Sequence, residues 1–146
     1  PGYHSSQWFT DHVGGNTTEN IHILAENVIA LVLLPRLPES EDPGGTALAP
    51  NYLYDSAPAS WPSASPQAVT ENQLPPYVQV TLVTLDEGSA ERLDELSTDP
   101  VGFLGLSGLF QDAGSLEDDL QTLKDKLQEH RLEYRVFQSA LQLKTR

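Results

Sequence analysis

The residue pattern predicts an α+β fold: a small antiparallel sheet with helices on one face and a long Pro-rich loop. Three observations carry this. Tyr77–Leu85 (YVQVTLVTL) is a strand-length run of β-branched and aliphatic residues with period-two alternation. Leu116, Leu120, Leu123 and Leu127 recur at helical spacing and make one stripe. Strands and helices do not alternate regularly along the chain, which argues against a parallel sheet of βαβ units.

The elements follow in order. Residues 1–20 form a polar, mixed segment whose only large apolar pair is Trp8 and Phe9. Residues 21–146 read as one domain. Asn16-Thr17-Thr18 is formally a glycosylation sequon, a pattern too short to carry weight. Ile21 to Leu34 is the first strong element. Val28 to Leu34 is an apolar run of strand length, ended by Pro35, and Ile21, Ile23 and Leu24 extend it through a kink near Glu26-Asn27. A run apolar on both faces predicts a strand covered on both sides.

Residues 35–76 hold 9 of the 11 prolines. They read as a long irregular excursion, including a Ser/Ala/Pro-rich stretch from Ala57 to Ala68. Loops of this length inside a domain are uncommon and often functional. Within the excursion, Asn51-Tyr52-Leu53-Tyr54-Asp55 is the part suited to pair as a short edge strand. On Tyr77–Leu85, Val78, Val80 and Leu82 share one face and Tyr77, Gln79, Thr81, Val83 and Leu85 the other.

Asp86 to Leu96 reads as a short helix with Ala90, Leu93 and Leu96 inward, its opening acids suited to a helix N-terminus. Val101 to Phe110 is an apolar, glycine-hinged loop packed on the core. Ser115 to His130 is the longest helix. Ser115 and Asp118 have the spacing of a capping box, acids fill the first turn, and Lys124, Lys126, His130 and Arg131 gather toward the end. Glu133 to Leu143 reads as a final strand, with Tyr134, Val136 and Ala140 on one face and Phe137, Leu141 and Leu143 on the other.

Composition narrows the function. The chain of 146 residues has 8 Lys and Arg against 21 Asp and Glu, a formal charge of −13, and neither Cys nor Met. Disulfide scaffolds and cysteine metal sites are excluded. Nucleic acid is not an expected partner, because phosphate neutralisation needs a basic surface. The longest apolar run, Val28 to Leu34, falls well short of the roughly 20 residues of a spanning helix. A first residue other than Met leads us to expect a processed chain or a fragment. Any targeting segment or membrane helix is then expected upstream of Pro1.

Candidate chemistry is sparse. His4, His12, His22 and His130 show no ligand spacing. Gly105-Leu106-Ser107-Gly108-Leu109 comes nearest to a nucleophile elbow but lacks the final glycine and a strand running into it. Gly44-Gly45-Thr46 lacks the Gly-Lys-Ser/Thr ending of a phosphate loop. Glu39, Glu41 and Asp42, with Asp55 within reach, are weak calcium candidates, since calcium takes six to eight hard oxygens; a solvated acidic loop is the favoured alternative. No catalytic residue, other metal site or organic cofactor is expected. Six of the eight basic residues follow Leu123, so the acidity is concentrated before it.

Four runs carry a family resemblance. They are Leu24-Ala25-Glu26-Asn27-Val28-Ile29-Ala30-Leu31, Ala49-Pro50-Asn51-Tyr52-Leu53-Tyr54-Asp55-Ser56, Asn72-Gln73-Leu74-Pro75-Pro76-Tyr77-Val78-Gln79-Val80-Thr81 and Tyr134-Arg135-Val136-Phe137. In this order they resemble the soluble region of pilin-like proteins, most of all the Verru_Chthon cassette protein C family. More distantly they are similar to the minor pseudopilin J and PilW-like proteins of type II secretion and type IV pili. The resemblance spans about residues 22–143. It implies a pilin-like globular head with no catalytic residues, whose partners are other pilin or pseudopilin subunits. It implies a cell-envelope location on the periplasmic or extracellular face, with membrane contact only through an upstream helix. The alternative expectation is a secreted or cell-surface adhesin or glycan-binding module, with Trp8, Tyr52, Tyr54 and Trp61 as stacking platforms.

Overall fold

The computed structural model describes residues 25–57 and 72–143. Trp8, Trp61, the sequon, His4, His12, His22, Ile21 to Leu24 and most of the Ala57–Ala68 stretch lie outside the described residues. Three strands, β1 (Val28–Arg36), β2 (Tyr77–Leu85) and β3 (Tyr134–Gln142), make one antiparallel sheet in the order β1-β2-β3. Helices α1 (Glu87–Leu96), α2 (Pro100–Phe103) and α3 (Leu116–Glu129) lie between β2 and β3 in the chain. This is the α+β architecture the pattern predicts.

The register fixes which residues share a face. Val32 pairs with Thr81 and Thr81 with Gln138; Ala30 pairs with Val83 and Val83 with Val136. Opposed residues in a ladder point to the same side. Val32, Leu34, Thr81, Val83 and Leu85 are buried, and the four apolar ones form the core with Ala49, Leu93, Leu104, Ala113, Leu116, Leu120, Leu123, Leu127 and Leu132. The leucine stripe is therefore the inward face of α3, and its burial contributes roughly 6–12 kcal/mol gross, an upper bound before ordering entropy.

The helix ends show where local rules hold and where context displaces them. Asp86 caps α1 in extended geometry, its Oδ1 accepting from the Ser89 amide at 2.8 Å. Ser89 is buried because its hydroxyl accepts from the Glu133 amide at 2.7 Å, which ties α1 to the start of β3. Leu96, placed inward by periodicity, is 49% exposed, since α1 ends there and its inward residues are Ser89 and Leu93.

Ser115 makes no side-chain cap. A 3-10 turn over Ala113–Ser115 feeds straight into α3 and holds Ser115 at φ −100°, ψ 10°, outside the extended geometry a cap needs. The capping carboxylate is that of Asp112 instead, which accepts from the Gly114 amide at 2.8 Å. At the other end Arg131 takes φ 55°, the left-handed residue that ends many helices, and the Leu132 amide closes on the Leu127 carbonyl at 2.8 Å.

β1 departs from expectation twice. Among the described residues it is an edge strand, not one covered on both sides. It also runs through Pro35, which sits opposite Val78, to Arg36. An edge position tolerates proline, because the missing amide can face away from the ladder. The kink expected near Glu26-Asn27 is present as a left-handed Asn27 (φ 54°) followed by a register shift between Val28 and Ala30.

The described excursion, residues 37–57, is irregular but anchored: Leu37, Leu48 and Ala49 are buried. Asn51 to Asp55 forms no strand. Tyr52 is left-handed at φ 63°, Asn51 Oδ1 accepts from the Leu53 amide at 3.3 Å, and the Pro50 carbonyl accepts from Ala113 at 2.7 Å. Side-chain-to-backbone bonding of this kind competes with an extended ladder. The stretch 101–110, expected as a loop packed on the core, begins inside helix α2, where Val101 and Phe103 are exposed; its glycine hinge is Gly105, at φ 63°, between α2 and a 3-10 turn over Leu106–Gly108.

Candidate interaction surface

Among the described residues, helices cover one side of the sheet and not the other. The other side is built from the alternate residues of the same strands. Leu31, Leu82 and Phe137 form one row across it; Leu33, Val80 and Ser139 form the next; Pro35, Val78 and Leu141 form a third. Leu31 is 58% exposed, Phe137 52%, Leu141 51% and Leu33 49%. The charged side chain that the β-ladder places among these rows is Arg135, opposite Thr84. Glu87, Glu91, Asp94, Glu95, Glu117, Asp118, Asp125 and Glu129 are exposed on α1 and α3. The net charge of −13 is thus laid heavily on the helical layer, while the open sheet face is apolar and nearly neutral. Contiguous exposed apolar surface of this kind marks contact sites.

A second feature borders this face. A groove of about 320 Å³ runs along the free edge of β1, lined by Ile29 to Leu33 and walled by Tyr52, Leu106 and Phe110. Tyr52 and Phe110 both have left-handed backbones, at φ 63° and φ 58°. That conformation costs an L-residue roughly 1–2 kcal/mol. The Phe110 amide is held by Asp119 Oδ2 at 2.8 Å, and the Tyr52 hydroxyl donates to the Asp112 carbonyl at 3.3 Å. Partial burial raises the Tyr52 phenol above its ordinary pKa, and the Asp119 and Asp112 carboxylates push it the same way.

The residues singled out from sequence fall elsewhere. Asp42 is buried, and both its oxygens are spent on its own turn: Oδ1 accepts from the Gly45 amide at 2.9 Å and Oδ2 from Ala47 at 2.8 Å. Glu39, Glu41 and Asp55 are exposed, and Asp55 Oδ1 accepts from Ala57 at 2.8 Å. Among the described residues no group of three or more His, Asp or Glu stands together as metal ligands would. Ser107 is exposed in the 3-10 turn, and His130 packs on Phe103 with ring centroids 4.5 Å apart. Of the aromatic platforms, Tyr52 walls the groove and the Tyr54 hydroxyl donates to the Gln73 carbonyl at 2.7 Å. Among the described residues no helix is long and apolar enough to cross a membrane.

The open face was half legible in sequence: the alternation on β2 and β3 separates its residues from the core set. The groove was not, because Tyr52, Leu106 and Phe110 come from two distant loops. The one local sign was the run from Val28 to Leu34 without a charge. Compared with known proteins, the chain matches no family model, no curated protein and no solved structure.

Proposed function

We propose that this chain is the globular head of a minor pilin- or pseudopilin-like subunit, working by assembly with other subunits into an envelope-anchored filament or secretion pseudopilus. The observation that carries the reading is the apolar outer face of the sheet, on which Leu31, Leu33, Phe137 and Leu141 are exposed, opposite an acidic helical layer. An assembling head needs an apolar contact face and a charged outward layer, and it needs no active site. The resemblance of the β1, β2 and β3 runs to pilin-like heads supports the same reading. The working residues are then Phe137, Leu141, Leu82 and Val80 on the sheet, and the reading assigns no catalytic residue.

The test is incorporation. Phe137→Lys places a charge on the face at a position already half exposed, so the domain is expected to fold and to be lost from filaments recovered from the native host. Undiminished incorporation of the folded variant speaks against the face. An upstream coding sequence with a conventional secretory signal and no prepilin motif speaks against the family reading.

A further inference from the structure

The middle of the β1 edge carries none of the charges that usually protect such a strand. Natural edge strands carry inward charges, lysines, prolines or bulges that discourage pairing. Here the stretch Ala30 to Leu34 has no charge, and the bulge and Pro35 lie only at its two ends. No described strand pairs with its outer side. Five consecutive β1 residues line the groove. Successive side chains of a strand point to opposite faces, so a groove touching all five lies along the backbone edge and not on one face.

The walls add a second observation. Tyr52 and Phe110 stand in left-handed backbone, unfavourable for bulky residues. Backbone strain of this kind gathers at ligand clamps. The rim supplies the charge. Asp119 Oδ2 accepts from the Phe110 amide and the Asp112 backbone carbonyl accepts from the Tyr52 hydroxyl, so both acids stand beside the walls, outside the groove lining, and both carboxylates raise the Tyr52 pKa. An apolar floor along a free strand edge, closed by aromatic walls and an acidic rim, is complementary to one kind of occupant.

We propose that the groove along β1 takes an extended peptide segment as a fourth strand of the sheet, with alternating apolar residues in the groove and a flanking lysine or arginine at the Asp112–Asp119 rim. Strand addition gives affinity through main-chain hydrogen bonds and specificity through pockets for alternate side chains. The site is separate from the open face and does not depend on the pilin-like reading.

The probe is a synthetic nonapeptide of alternating valine and threonine with lysine at both ends, added to the full chain. Binding is expected to slow hydrogen exchange at alternate β1 amides between Ile29 and Leu33. A glutamate-ended version is expected to bind at least about tenfold more weakly at low salt. Two further peptides carry N-methyl groups on alternate amides, one for each edge. One is expected to lose binding and the other to keep it, because a fourth strand uses one edge only.

Phe110→Gly suits the left-handed backbone and removes a wall, so it is expected to stay folded and to lose about tenfold in affinity. Tyr52→Asn is the second variant, since Asn also tolerates that conformation. The proposal is overturned by no binding of the lysine-ended peptide, equal binding of the glutamate-ended one, no slowed β1 amide, the same outcome for both methylated peptides, or unchanged affinity in both folded variants. Exchange at β1 already slowed without peptide, and released on deleting residues 1–24, also overturns it by making the chain its own occupant.

Discussion

If the outer face of the sheet is open, polar substitution on it must be cheap. Phe137→Thr with Leu141→Thr is the perturbation that measures this. Full burial of a Phe or Leu side chain is worth about 1.5–3 kcal/mol. Phe137 is 52% exposed and Leu141 51%, so about half of that value is at stake at each site, close to 1 kcal/mol. Threonine is β-branched and keeps the strand preference. The two positions are four residues apart on β3, roughly 13 Å along the strand, and their effects are expected to add. The double variant should therefore lose about 2 kcal/mol, against a total of about 5–15 kcal/mol for an ordinary domain. Urea unfolding followed by far-ultraviolet circular dichroism checks it, with the midpoint lowered and the slope unchanged. A loss above about 4 kcal/mol would refute the reasoning, because it is the cost of a core site and means that the face is covered in solution.

Leu123→Ala, at a wholly buried position on α3, is expected to cost about 3–4 kcal/mol and to lower the melting temperature by roughly 10 °C or more. Asp42→Ala leaves the Gly45 and Ala47 amides without their acceptors and is expected to cost about 2 kcal/mol in urea unfolding. Because both Asp42 oxygens are occupied, millimolar calcium is expected to leave the melting temperature of the parent chain unchanged; a clear rise would restore the 39–42 acids as ligands.

The Asp86 carboxyl is held below an aspartate's ordinary pKa by its hydrogen bonds to Ser89. A depressed folded-state pKa means that the unfolded chain binds the proton more readily. Its stabilisation is therefore present above the unfolded value and lost as the pH falls through the folded one. Asp86→Asn keeps a capping oxygen without the charge. Its stability deficit should shrink as the pH drops below about 4, in pH-dependent unfolding of the two proteins.

Local physics set much of this fold. β2 could not be read otherwise, since Pro75-Pro76 precedes it and its alternation separates Thr81, Val83 and Leu85 from Val80 and Leu82. The leucine stripe of α3 and the acidic start of α1 also follow from spacing and residue type alone. Failures occurred where a neighbouring segment outbid a local preference. Ser115 has the right side chain for a cap, but the 3-10 turn before it claims the backbone. Asn51 to Asp55 has strand-forming tyrosines, but the Pro50 carbonyl is committed to Ala113 and Tyr52 is turned left-handed.

By itself, then, the sequence determined three strands, two main helices, the fold class and the leucine stripe of α3, because these depend on periodicity within one segment. Tertiary structure alone decided that β1 is an edge, that its apolar outer residues stay exposed, and that Tyr52, Leu106 and Phe110 converge beside it. The physical reason is that an apolar strand residue reads the same whether a layer covers it or not. Only strand order and the side chosen by the helices separate a core face from an open one.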